Sequence, residues 1–423
     1  MRLLPFATLL LLALLSPVSA DFSFTPLPSS AWQEMTTDPD VLHAAPWKLP
    51  PGFSQRILSD ETHLDIYKGN DWTDMQVLNE GGTDAGRYLY RTHEVRRHND
   101  RHRDGREGGA VSVIDLDSGQ TTLIATRADW EAIDGLLWTR WNSLLVTEEQ
   151  KRDSSPDPHY PDAARGLVYE LFFEPGNPRQ LARILPRPLL GSLTHEGIEE
   201  DAQGNIYVID EDDAGAIYRF IPDRYADLES GRLFALRVEN GRQTGPAEWI
   251  PLELDRKTFD ARSAARLAGA TAFCRPEDLE VIGETLYAAL TCEAKDGAVL
   301  SIRLGTEKPD VHYFVKPGRN VAEENSRLRQ TGFRNPDNLA NGPDGRLWIS
   351  EDNAPGDIWV AEPDRDGDGY SDLVELFASL RDAGGEPSGI YFGRNPARLF
   401  VSIQHSSTGN DKTLIIEKDQ EPE

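Results

Sequence analysis

Asn335-Pro336-Asp337-Asn338-Leu339, followed after a Gly/Asp turn by Leu347-Trp348-Ile349-Ser350-Glu351-Asp352, is the stretch that decides the fold. An acid opens an apolar segment, a tight turn follows, and an alternating segment runs out into more acids, which is the pattern of a β-hairpin. The same pattern recurs along the chain. Asp74–Val77 leads to Tyr88–Glu94, Asp134–Leu137 to Leu144–Glu149, and His195–Ile198 to Ile206–Glu211. Arg275–Leu279 leads to Leu286–Leu290, near Glu293, and Glu386–Ile390 to Leu399–His405. Self-similar hairpins spaced tens of residues apart indicate a repeat fold. Short alternating strands with turns between them indicate propeller blades. Six copies predict an all-β, six-bladed β-propeller in one domain.

Between the hairpins lie further strand-like segments: Ala110–Ile114, Gly166–Leu171, Ala216–Phe220, Ala298–Ile302, Ile358–Val360 and Thr413–Ile416. Each fits the third strand of a blade. Residues 21–51 read as an irregular lead-in wrapping the outside, and 52–423 as the propeller. A basic insertion at 95–109 reads as a solvated loop, and Phe259–Leu267 as a short helix.

The start of one hairpin strand and the end of the next lie at the same edge of a sheet. Repetition around an axis therefore gathers Asp74, Asp134, Glu196, Glu277, Asp337 and Glu386 at one channel mouth, with the strand-exit groups Glu94, Glu148, Glu211, Glu351 and His405. So many carboxylates in one funnel repel one another unless cations compensate. Oxygen donors suit Ca²⁺ first, with Mg²⁺, Mn²⁺ and Fe³⁺ as rivals. The plainer reading is that these are ordinary solvated strand-end acids.

Acids outnumber bases 71 to 44 in the 423 residues, for a net charge of −27. That excludes nucleic acid and anionic membranes as natural partners and requires a local positive site for any anionic substrate. The chain is read as a monomer. Residues 1–20 read as an export signal: Arg2, the apolar run Leu9–Leu15, and Val18-Ser19-Ala20 as cleavage site. The alternative is an uncleaved anchor, for which the run is short of the ~20 residues a span needs. A periplasmic or secreted protein is expected. In such a compartment Cys274 and Cys292, at the two ends of the fourth hairpin, are read as a disulfide, with buried thiols or a metal thiolate as alternatives.

Two local signals carry chemistry. Asp364-Arg365-Asp366-Gly367-Asp368-Gly369-Tyr370-Ser371-Asp372-Leu373-Val374-Glu375 places acids at loop positions 1, 3, 5, 9 and 12, with Gly369 at 6 and the Tyr370 carbonyl at 7. That is the spacing of a twelve-residue calcium loop. The second is Arg275, beside Pro276-Glu277. A guanidinium fork among metal-binding carboxylates suits phosphoryl transfer, which needs charge neutralisation, an activated oxygen and a clamp on developing negative charge.

Thr92-His93-Glu94, Thr139-Arg140-Trp141 with Thr147-Glu148-Glu149, Thr194-His195-Glu196-Gly197, Arg275-Pro276-Glu277, Pro336–Leu339 with Leu347–Asp352, and Glu386–Gly389 with Ile403-Gln404-His405 resemble motifs of the PhoX-type alkaline phosphatases. The resemblance is ordered and spans about residues 70–410. It implies a six-bladed propeller phosphomonoesterase with iron and calcium in the axial funnel. It further implies that Glu196 and Glu277 are metal ligands with catalytic roles and that Arg275 contacts substrate phosphate. Glu94, Glu148, Asp337, Glu351 and Glu386 are implied as ligands or their neighbours. The chain departs from that family in placing Asp134 at the position of a cysteine iron ligand, and in lacking a twin-arginine signal. Two rival functions follow from the residues: a calcium-dependent lactonase or aryl esterase of the gluconolactonase kind, for which Asn338 would serve as ligand, and a non-catalytic calcium-stabilised binding propeller.

Overall fold

The computed structural model describes residues 22–420 apart from 65–71, 96–107, 150–158, 164, 294–295, 307 and 395–396. The expected signal at 1–20 lies outside the described residues, as does most of the basic insertion at 95–109.

Alternating apolar residues and Gly/Asn/Asp turns fold the chain into consecutive antiparallel meanders. The first comprises Thr73–Leu78, Tyr88–His93, Ala110–Asp115 and Thr121–Thr126, and the second Ile133–Trp138, Leu144–Glu148, Val168–Glu174 and Asn177–Pro186. The third runs from Ile198–Glu200 through Ile206–Ile209, Ile217–Pro222 and Gly231–Val238 to a fifth strand, Gly245–Pro251. That extra strand pairs Gly245 with Val311 and so joins the third meander to the fourth, which is Pro276–Ile282, Thr285–Leu290, Ala298–Arg303 and Asp310–Val315. The fifth is Pro336–Asn341, Leu347–Glu351, Asp357–Ala361 and Val374–Leu380. The sixth, Glu386–Arg394, Ala397–Gln404 and Lys412–Lys418, is completed by an N-terminal strand, Phe53–Asp60, which pairs with Lys412–Lys418. The two ends of the chain therefore close one sheet.

The leading strand of each meander packs on that of the next, and the sixth packs on the first, giving a nearly all-β, propeller-like ring. Lateral hydrogen bonds tie these inner strands together. The Leu339 amide donates to Asp278 at 2.8 Å, the Gly389 amide to Asn338 Oδ1 at 2.6 Å, and Gln76 Nε2 to the Gly389 carbonyl at 2.6 Å. The packing requires glycine: a Cβ on Gly135 would lie 1.8 Å from the Glu196 carbonyl oxygen. Between meanders the faces are filled by buried aliphatic and aromatic side chains.

The lead-in packs on the outside of the fifth and sixth meanders. Phe22 stacks edge-on against Trp348, Phe53 and Phe392, and Trp47-Lys48 adds a short strand beside Leu380 and Ser379. The helix expected at Phe259–Leu267 is observed at Ala261–Ala268; Asp260 caps it by accepting from the Ser263 amide, and Gly269 ends it in the left-handed conformation. No helix among the described residues is long and apolar enough to cross a membrane.

Candidate active site

A cavity of about 240 Å³ opens at one end of the ring. Ten carboxylates line it: Asp74, Asp134, Glu277, Asp337 and Glu386 from the leading strands, Glu196 from just before the leading strand of the third meander, and Glu94, Glu149, Glu211 and Asp352 from the strand exits. Arg275 and His405 are the basic groups in that lining.

The leading-strand acids are aimed by a recurring irregularity. In four meanders two residues oppose one across the ladder, and the first of the two is the acid: Asp74-Met75, Asp134-Gly135, Glu277-Asp278 and Asp337-Asn338. Each is a β-bulge, which turns a side chain out of strict alternation. The exit residues are placed by a repeated backbone bond. The amides of Glu94, Glu149, Glu211 and Asp352 donate to the carbonyls of Trp72, Ala132, Thr194 and Asn335, each two residues before a funnel acid. In the fourth meander Thr291 makes the same bond to Arg275.

This register places two expected mouth acids elsewhere. Glu148 and Glu351 lie one residue early and do not line the cavity; Glu149 and Asp352 take those positions. Glu148 accepts from the amides of Glu131, Gly166 and Leu167 at 3.1, 3.2 and 3.1 Å. Glu351 accepts from the Arg334 amide at 2.7 Å and from Trp359 Nε1 at 2.8 Å. Along a strand a shift of one residue reverses the face, so the paired acid braces the chain while its neighbour enters the funnel. Asn338, a ligand in the lactonase reading, is occupied in the inter-strand bond to Gly389 instead.

Glu196, Glu211 and Glu277 each offer an oxygen within 4.8 Å of the others. Oε2 of Glu277 and Oδ1 of Asp134 are buried without a hydrogen-bond donor, and Glu277 Oε1 faces the Arg275 guanidinium at 3.1 Å. Burial and mutual repulsion push Asp134, Glu149, Glu196 and Asp337 well above the usual carboxylate range. The same causes bring Asp74 and Glu277 to about 7 and Glu386 to about 11. Buried carboxylate oxygens converging on one point with a single guanidinium between them are the signature of a cation site, and the donor set fits a hard ion.

Arg275 bridges the cluster. Its Nε donates to Glu211 Oε1 at 2.7 Å, Nη2 lies 2.6 Å from the same oxygen, and Nε is 3.1 Å from Glu277 Oε1. Its backbone takes a positive φ of 50°, held on one side by the disulfide Cys274–Cys292. The bond forms across the fourth hairpin, with Cα atoms 5.3 Å apart, as expected from the spacing.

The Asp364–Glu375 loop lies outside the funnel. Asp364, Asp366 and Asp372 bring oxygens within 4.8 Å of one another. Asp368 and Glu375 are not part of that group; Asp368 accepts from the Tyr370 amide at 2.9 Å, and Glu375 sits in the strand that follows.

Fold and site together define an all-β, propeller-like protein with an acid-lined axial cavity and an arginine at its mouth. The chain belongs to the alkaline phosphatase PhoX family, whose model matches residues 138–407. Its fold resembles that of Pseudomonas fluorescens PhoX solved in complex with vanadate, a transition-state analogue, with a TM-score of 0.62 and 17% identity over 94% of this chain and 98% of that one. More distant likenesses include a candidate gluconolactonase (TM-score 0.48, 15% identity, 90% and 97% covered). Another is a virginiamycin B lyase from Staphylococcus aureus (0.44, 15%, 86% and 99%). No curated protein matches the sequence.

Proposed function

We propose that this protein is an exported, metal-dependent phosphomonoesterase on a six-bladed propeller. The observation that carries the reading is the juxtaposition of Glu196, Glu211 and Glu277, close enough to share an ion, with the Arg275 guanidinium. Family membership supports the reaction class.

Glu196, Glu211 and Glu277 would hold one cation, and Asp74, Asp134, Asp337 and Glu386 would complete the sites around it. Bound cations supply charge neutralisation and an activated oxygen nucleophile. Arg275 does the work of recognition: its planar fork can exchange Glu211 for two phosphate oxygens, and it stays charged at any working pH. Without cations the funnel carboxylates repel a phosphate ester, so cation occupancy governs substrate binding as well as chemistry. Both cysteines are consumed by the disulfide, and among the described residues lining the cavity every acidic donor is a carboxylate. That favours Ca²⁺, with Fe³⁺ as second choice, and Asp134 serves where a thiolate would otherwise stand. A further Ca²⁺ is assigned to the Asp364–Glu375 loop.

The same reading makes residues 1–20 an export signal, 21–51 a lead-in and 52–423 the catalytic propeller, acting as a monomer in the periplasm or outside the cell. Its substrate is a small phosphate ester rather than nucleic acid or membrane.

The test is hydrolysis of p-nitrophenyl phosphate and of a lactone by purified protein, with and without chelator, alongside elemental analysis. The expected outcome is phosphate release that falls at least ~100-fold with chelator and returns with added metal. Lactone hydrolysis without phosphate release would overturn the reading.

A further inference from the structure

Five of the leading acids stand within a leading strand, but Glu196 does not: its strand begins at Ile198. The segment Thr194–Glu196 thus lacks the ladder that fixes Asp74, Asp134, Glu277, Asp337 and Glu386. A side chain from outside the meander takes over that task. Arg262, on the helix Ala261–Ala268, donates from Nε to Asp210 Oδ2 at 2.6 Å and from Nη2 to Thr194 Oγ1 at 2.9 Å, and its Nη1 lies 2.8 Å from Asp212 Oδ2. Asp210 is fully buried and also accepts from the Thr194 amide at 3.0 Å. One guanidinium therefore ties down the residue two before Glu196 and the residues on either side of Glu211. It reaches the phosphate clamp too, because the Asp212 carbonyl accepts from the Arg275 amide at 3.1 Å.

Asp210 occupies the position that Glu148 and Glu351 hold in their own meanders, one residue before the exit acid. Those two brace the segments before Asp134 and Asp337 through uncharged donors, namely backbone amides, an indole and the Asn353 side-chain amide. Asp210 instead has the arginine. The helix is seated for this: a Cβ on Gly191 would come within 2.5 Å of the Ala261 side chain, so the backbone at 191 lies flat against the first helical turn.

Resting on the cation-binding reading above, we infer that Arg262 is a positioning residue that sets Glu196, Glu211 and Arg275 in register for a shared cation and phosphate. Arg262 touches neither; it acts through Thr194, Asp210 and Asp212.

The test is calorimetric titration of the chelator-treated protein with Ca²⁺, followed by KM and kcat for p-nitrophenyl phosphate. Glu277→Gln identifies the funnel binding event as the one it abolishes. Arg262→Lys keeps the charge but not the fork, and is expected to weaken that event about 10- to 100-fold, as removal of an outer partner of a metal ligand does. KM should rise by more than kcat falls. Thr194→Val, which cuts one link and leaves the buried Arg262–Asp210 pair intact, should weaken it several-fold while the melting temperature stays near that of the parent. Leu267→Ala, a change at an exposed side chain on the same helix, should leave Ca²⁺ binding unaltered. Parental Ca²⁺ affinity in a folded Arg262→Lys or Thr194→Val protein would overturn the positioning role. A Glu277→Gln protein that bound Ca²⁺ like the parent would instead overturn the funnel reading itself.

Discussion

The oxygens of Asp364 accept from the amides of Gly367 and Gly369 at 2.7 and 2.8 Å, whereas neither oxygen of Glu277 accepts from a backbone amide and Oε1 faces the Arg275 Nε at 3.1 Å. Both acids belong to a trio whose oxygens lie within 4.8 Å. The loop trio is half-buried to exposed, satisfied by the loop's own backbone, and offset by Arg365, which lies 2.8 Å from Glu362 and 3.8 Å from Asp372. The funnel trio is largely buried and has one arginine among ten carboxylates. Spacing in the sequence makes the loop the more recognisable cation site. Burial and missing donors make the funnel the one that needs an ion.

That contrast is broken most sharply at Glu277. Replacing it by Gln removes one charge from a site built to hold a cation beside Arg275, and leaves a guanidinium with only Glu211 for a partner. We expect kcat/KM toward a phosphomonoester to fall about 100- to 1000-fold, the cost of losing one electrostatic element at a reacting centre. Steady-state kinetics with the metal content measured in parallel checks it. Activity within tenfold of the parent would mean that the trio is not the reacting centre.

The next effect is on stability against pH. In the cation-free protein Asp74 and Glu277 titrate at about 7 and Glu386 at about 11, all above the unfolded value near 4. The folded state therefore holds more protons than the unfolded one between those values, and stability falls as pH rises. It is fully present below about pH 4, and most of the loss from Asp74 and Glu277 is complete by about pH 8. Melting temperature of chelated protein should drop on the order of 5–10 °C from pH 5 to pH 8, and added Ca²⁺ should restore it at pH 8. A profile that stayed flat in the chelated protein would remove the electrostatic burden that sets the buried funnel apart from the exposed loop.

Most of the ring was legible in the sequence because an acid, an apolar run and a turn repeat in register, and that repeat alone orders the leading strands. The funnel was legible for the same reason: Asp74, Asp134, Glu196, Glu277, Asp337 and Glu386 all line it. The exits were legible only to within one residue. Glu148-Glu149 and Glu351-Asp352 are consecutive acids, and alternation cannot choose between them when a bulge of unmarked position precedes the pairing. The N-terminal strand Phe53–Asp60 and the fifth strand of the third meander close or join sheets through partners far along the chain, which local pattern does not report. Arg262 was illegible on the same ground, since its partner Asp210 lies 52 residues away.

The smallest expected effect belongs to the loop. Asp366→Asn removes a carboxylate whose Oδ1 accepts from the Asp368 amide at 3.0 Å, and an asparagine carbonyl can keep that bond. The turn itself is set by Gly369, whose φ of 92° and contact with the His312 ring leave no room for a side chain. The backbone should therefore hold its shape with or without the charge. Catalysis should stay within about twofold of the parent, since a surface change away from the site typically costs under ~0.5 kcal/mol. If Ca²⁺ binds the loop, the variant should also lose a part of the Ca²⁺-induced rise in melting temperature, on the order of 1–2 °C, while the larger rise owed to the funnel remains. Loss of the whole calcium response on changing Asp366 would reverse the ranking of the two clusters, making the loop the cation site that stabilises the fold and leaving the buried funnel acids to share protons instead.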